Sequence, residues 1–156
     1  MFRPATADTQ GRDGGLVKIL VVEDSMAIRH ENERVLIKTG YEVIGAEDGP
    51  SALRLAREQK PDLILLDLML PKMSGPEVLR RLKEDPRTAN IPVVVVSGLS
   101  EKNRDKLLEE GAEEYLEKNM LMPTPGENLL PRILEDVICR INRKRGIPFA
   151  SVPTSH

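Results

Sequence analysis

The 156-residue chain reads as an α/β protein, a doubly wound (βα)5 fold around a five-stranded parallel sheet. Two observations predict this. Five short apolar runs alternate with five segments of helical periodicity, the pattern of repeated strand–helix crossovers. The runs, Val93-Val94-Val95-Val96 above all, also lack the every-second-residue polarity of a half-exposed strand, as expected where helices cover both faces of a sheet. Right-handed crossovers then restrict the topology to a doubly wound sheet.

Each element follows from a local signal. Residues 1–15 carry Pro4, Gly11, Gly14 and Gly15 without apolar periodicity and are expected to form a flexible tail. The first strand is predicted over Val17–Val22, ending at Glu23-Asp24. Asp24 and Ser25 suit a helix cap, and the helix Met26–Thr39 stops at Gly40, a residue suited to the left-handed position after a helix. A second strand (Tyr41–Ala46) and helix (Pro50–Gln59) follow. The third strand, Leu63–Leu66, closes on Asp67, and its helix runs from Gly75 to Glu84 ahead of Pro86. The fourth strand, Ile91–Val96, leads to Ser97-Gly98 and a helix over 101–110 before Gly111. A weaker fifth strand, Glu114–Glu117, runs into Lys118. The last helix, Glu127–Lys144, aligns Leu130, Ile133, Leu134, Val137, Ile138 and Ile141 on one stripe. Residues 146–156, with Pro148 and Pro153, read as a second tail, which leaves 16–145 as the folded domain.

Composition narrows the function. Twenty-three basic against 25 acidic residues give a net charge of −2, so no general nucleic-acid footprint is present and direct nucleic-acid binding is not expected. No apolar run approaches the ~20 residues of a membrane span, and residues 1–15 have no apolar signal core. The single cysteine, Cys139, cannot form an internal disulfide or a cysteine-based zinc site. A reducing cytoplasm is the expected compartment. Neither G-x-G-x-x-G nor a P-loop occurs, which argues against a dinucleotide carrier.

Doubly wound sheets bind ligands beyond the carboxyl ends of their strands. Glu23 and Asp24 stand at the end of the first strand, Asp67 at the third, Ser97 at the fourth and Lys118 at the fifth. Three gathered carboxylates repel one another unless a cation or protons compensate them, and oxygen ligands of this kind suit Mg²⁺. A lysine and a hydroxyl opposite them suit an incoming anion. A carboxylate can itself accept a phosphoryl group. The constellation therefore predicts a Mg²⁺-dependent phosphoryl site with one aspartate as acceptor. Helix capping or surface charge would explain each acid singly, but not the coincidence at four strand ends.

The segments Ile19-Leu20-Val21-Val22-Glu23-Asp24-Ser25, Pro61-Asp62-Leu63-Ile64-Leu65-Leu66-Asp67-Leu68-Met69-Leu70-Pro71 and Tyr115-Leu116-Glu117-Lys118, with Ser97 between them, resemble the receiver domain of two-component response regulators. The resemblance implies a flavodoxin-like sheet of order 2-1-3-4-5 and phosphorylation of Asp67 by a histidine kinase or phosphotransfer protein. It further implies that Asp24, Asp67 and the Met69 backbone carbonyl bind Mg²⁺ directly and that Glu23 acts through water. Ser97 would bond a phosphoryl oxygen, Lys118 would pair with the phosphoryl group, and Tyr115 would swing inward on activation. Met69 and Leu99 occupy the family's water-positioning flanks, and both are apolar, which implies a long-lived phosphoryl group. The chain departs from the family pattern in three places. Asn119 follows Lys118 where proline is usual, the segment Met120–Gly126 lengthens the connection to the last helix, and Glu31 and Asn32 replace apolar residues of the first helix.

The expected function is that of a single-domain response regulator. It would signal by protein contact through the face of the fourth helix, fifth strand and last helix, with no activity on an external substrate. A phosphorelay intermediate and a phosphorylation-independent scaffold are the alternatives. An Asp-nucleophile phosphohydrolase is a rival from the enzyme class, but the familiar dehalogenase-type motif needs a second aspartate where Met26 stands. The acid-rich stretch 101–117 and the basic stretch Arg140–Arg145 allow a reciprocal pairing, hence a phosphorylation-dependent homodimer. His30 has no partner at ligand spacing and reads as a surface residue.

Overall fold

A computed structural model describes residues 16–98 and 104–145. Both expected tails, Leu99 and the start of the fourth predicted helix lie outside the described residues. The elements are β1 (Lys18–Val22), α1 (Met26–Thr39), β2 (Glu42–Ala46), α2 (Gly49–Gln59), β3 (Leu63–Asp67), α3 (Gly75–Glu84), β4 (Val93–Ser97), α4 (Arg104–Glu109), β5 (Glu114–Glu117), α5 (Lys118–Leu121) and α6 (Leu130–Arg145). All strand pairs are parallel and the order is β2-β1-β3-β4-β5, the flavodoxin-like arrangement.

Alternate residues of each strand serve opposite faces of the sheet. Ile19, Val21, Leu63, Leu65, Val94 and Leu116 join Leu36 of α1 and Leu130, Leu134, Val137, Ile138 and Ile141 of α6 in one buried cluster. Leu20, Val22, Ile64, Leu66, Val93 and Val95 join Ala52, Ala56, Val78, Leu79, Leu82 and Leu107 in the other. Every residue of β3 is buried, which accounts for its uninterrupted apolar run.

Local caps set the helix boundaries. Ser25 accepts the Ile28 N–H at 3.3 Å and Asp48 accepts the Ser51 N–H at 2.9 Å, each satisfying an orphan donor of a first helical turn. Gly40 ends α1 at φ 116°, a conformation that disfavours any residue with a side chain. Only Leu36 of α1 is fully buried, and Glu31 and Asn32 are half-buried. The lengthened connection after β5 is partly helical: α5 is a single turn that buries Leu121, and Leu129 N–H donates to the Leu121 carbonyl at 2.7 Å, tying it to α6. No helix among the described residues is long and apolar enough to cross a membrane.

Candidate functional site

Register brings the polar residues together. Val22 pairs with Leu66, and Asp67 pairs with Val96, so Glu23 leaves β1 beside Asp67 and Ser97 leaves β4 on the other flank. Glu23, Asp67 and Ser97 are buried, at 4%, 4% and 0% exposure, while Asp24 is exposed. One carboxylate oxygen each of Glu23, Asp24 and Asp67 lies within 4.8 Å of the others.

Lys118 holds the centre of the site. Its Nζ lies 3.2 Å from Glu23 Oε1 and 3.2 Å from Asp67 Oδ2. Lys118 opens α5 rather than ending an extended strand, yet its stem is long enough to span to β3. Asn119 therefore does not prevent the lysine from reaching Asp67. The second oxygens are held by the backbone: Met69 N–H donates to Asp67 Oδ1 at 3.2 Å, and Ser25 N–H donates to Glu23 Oε2 at 3.2 Å.

Charge and burial compete here. Burial, aided by the Asp67 carboxylate, raises the Glu23 carboxyl above its usual range, outweighing the pull of the Ser25 N–H and the Lys118 ammonium. For Lys118 burial acts to lower the value, but Asp67 and then Glu23 more than compensate, and the ammonium is held above its usual range. Lys118 is thus a fixed cation between two carboxylates.

Other predicted residues fall as follows. Tyr115 already lies inside, at 6% exposure, in the cluster that includes Val95, Leu107 and Ala112. Met69 is 63% exposed beside Asp67, and Leu99 lies outside the described residues. His30 is exposed. Arg140 pairs with Glu114 at 3.3 Å and Lys144 with Glu113 at 3.9 Å, so part of the acidic stretch is matched within the chain. Two supporting residues carried no signal in the sequence. Arg29 donates to the Glu23 carbonyl at 2.7 Å, anchoring the end of β1, and Gly75 packs against the backbone of Asp67 and Leu68.

The family model described as "Response regulator receiver domain" matches residues 19–124. This chain belongs to the response regulator receiver family. Protein PilH of Pseudomonas aeruginosa is 35% identical over 120 residues, which cover 76% of this chain and 95% of PilH. The response regulator PleD of Caulobacter vibrioides is 46% identical over 102 residues, 65% of this chain but only 22% of PleD. The receiver domain also resembles the chemotaxis response regulator CheY4 of Vibrio cholerae, with a TM-score of 0.69 and 28% identity over 78% of this chain and 98% of the other. Receiver domains are signalling modules rather than classical enzymes. They act with histidine kinases or phosphotransfer proteins and with downstream targets.

Proposed function

We propose that this chain works as a single-domain response regulator, with residues 16–145 as its working unit and Asp67 as acceptor of a phosphoryl group from a histidine kinase or phosphotransfer protein. The observation that carries this reading is the buried Asp67 carboxylate at the end of β3, 3.2 Å from Lys118 and gathered with two further carboxylates. Its cytoplasmic setting and its protein targets belong to the same reading.

The donor set suits Mg²⁺. A hard cation with oxygen ligands at about 2.1 Å places opposing oxygens roughly 4 Å apart, close to the spread of the three carboxylates, 4.8 Å at most. Asp24, Asp67 and the Met69 carbonyl would hold the ion directly and Glu23 through water. When bound, the ion supplies positive charge beside the phosphoryl oxygens. The remaining chemistry belongs to the chain. An Asp67 oxygen attacks phosphorus, and the bond from phosphorus to the donor imidazole breaks, its electron pair leaving with the donor nitrogen. Lys118 provides a fixed cation for the phosphoryl oxygens, and the Ser97 hydroxyl provides a donor. The new charge competes for Lys118, which is the local event that biases the face formed by α4, β5 and α6 toward a protein partner. Tyr115 beneath that face acts as the switch residue. A phosphorelay intermediate would use the same acceptor. Self-phosphorylation and self-dephosphorylation are the only turnover this arrangement calls for.

Incubation with Mg²⁺ and a small acyl phosphate tests the reading. A mass gain of one phosphoryl group, absent in Asp67→Asn, is expected. No gain in the unmodified protein, or an equal gain in Asp67→Asn, would refute it in favour of a scaffold that never takes phosphate.

A further inference from the structure

A cavity of about 150 Å³ opens beside the carboxylate cluster, with Glu23, Asp67 and Lys118 on one side of its wall. Its apolar walls come from six elements: Val21 of β1, Leu65 of β3, Val96 of β4, Ile28 of α1 (with Asn32), Leu121 of α5 and Leu130 of α6. Two departures from the family pattern accompany it, the polar residue at position 32 and the helical turn that carries Leu121. Apolar side chains dominate the lining. The polar groups that share the wall are largely engaged with one another: Lys118 Nζ with Glu23 and Asp67, and Asn32 Oδ1 with the Asn128 amide at 3.3 Å. A resident water needs two to four polar partners, and a lining dominated by apolar side chains offers few that are free.

Asn32 Nδ2 donates to no acceptor among the described residues. It is the one polar atom of α1 on this wall that is free to meet a guest. The enclosing residues also belong to different layers of the fold, and the Leu129–Leu121 and Asn128–Asn32 hydrogen bonds hold α1, α5 and the start of α6 around the space. Collapse of the cavity would require breaking these ties, so its volume is maintained by structure rather than by loose packing.

We propose that this cavity is a binding site for a compact, uncharged aromatic molecule of one ring that carries a single hydrogen-bond acceptor, the ring against Val21, Ile28, Leu65 and Leu130 and the acceptor on Asn32 Nδ2. Occupancy requires neither Mg²⁺ nor a phosphoryl donor, although Glu23, Asp67 and Lys118 share the wall. Because Leu121 lies one helical turn from Lys118, a guest would also stiffen the segment that carries the lysine.

The probe is 4-fluorophenol, followed by ¹⁹F NMR and by methyl spectra of the full-length protein without Mg²⁺. Saturable binding is expected, with shifts concentrated at the methyls of Val21, Ile28, Leu65, Leu121 and Leu130 and with competition by unlabelled phenol. Ile28→Phe, which fills the space, should weaken binding roughly tenfold or more. Asn32→Leu, which fills less of it and removes the donor, should weaken 4-fluorophenol more than it weakens toluene. Non-saturating shifts, or shifts spread evenly over the surface of the unmodified protein, would overturn the proposal even if a variant failed to fold. So would undiminished binding to a folded Ile28→Phe protein.

Discussion

Gly75→Ala isolates the packing that positions Asp67. Gly75 opens α3 behind the Ser74 cap, and its φ is not in the left-handed region, so alanine is conformationally acceptable there. The obstacle is space. A Cβ at this position would stand 2.8 Å from the Asp67 carbonyl oxygen and 2.9 Å from that of Leu68, and would press on Leu68 Cα. All three atoms are backbone, so no rotamer change relieves the contact. The loop must move, against the Gly75 N–H to Leu68 carbonyl bond of 2.9 Å. Overpacking of this kind costs about 1–3 kcal/mol, while exchanging glycine for alanine in a helix returns at most about 1 kcal/mol. The net expectation is a loss of about 1–2 kcal/mol, which lowers Tm by roughly 3–8 °C. Urea unfolding with an unchanged m value reads the stability, and phosphoryl incorporation from an acyl phosphate reads the site. Both should fall. A variant as stable as the parent or more so, with an unchanged incorporation rate, would refute the close-approach argument, because helix propensity alone predicts stabilisation.

Three further outcomes follow from the same geometry. Mg²⁺ at ten times its Kd should stabilise the parent protein by about 1.4 kcal/mol and Asp67→Asn far less, read as the Tm shift with and without the ion; equal shifts would place the ion elsewhere. Asp48→Ala should cost about 1 kcal/mol through loss of the α2 cap, seen in chemical denaturation. The Ser51 N–H holds the Asp48 carboxyl below its usual range. The advantage of Asp48 over Asp48→Asn should therefore be complete above about pH 4 and fade as pH falls through the lower folded-state value; an advantage that grows in acid would contradict the cap. Tyr41→Phe should be neutral or stabilising by up to about 1 kcal/mol, since the Tyr41 hydroxyl oxygen is buried with no hydrogen-bond partner among the described residues. A clear loss of stability in urea would show that the hydroxyl is satisfied.

Much of this architecture is written locally. β1, β3 and β4 are legible because a strand covered on both faces must be apolar at every position, and the caps at Ser25 and Gly40 mark α1 to the residue. The carboxylate cluster is legible for the same reason: a carboxylate that ends a fully buried strand, as Asp67 does, has no packing role to explain it. What local signals could not show is tertiary. The turn of α5 has four residues and no side-chain cap, so it exists through the burial of Leu121 and the Leu129 hydrogen bond, neither of which leaves a periodicity. The inward position of Tyr115 depends on the cluster it joins with Val95, Leu107 and Ala112, which lie outside β5. The cavity is a difference between volumes supplied by six elements, and no single stretch of sequence encodes it.

Phosphoryl transfer is proposed to end on one atom group, the Asp67 carboxylate. Borohydride reduces an acyl phosphate to the alcohol, so treating the phosphorylated protein with borohydride converts the modified aspartate to homoserine. Peptide mass spectrometry then locates it. Homoserine at position 67 alone, dependent on Mg²⁺ and on the phosphoryl donor, is the predicted result; homoserine at position 24, or a phosphoryl group that resists borohydride because it sits on His30 or a serine, would contradict it.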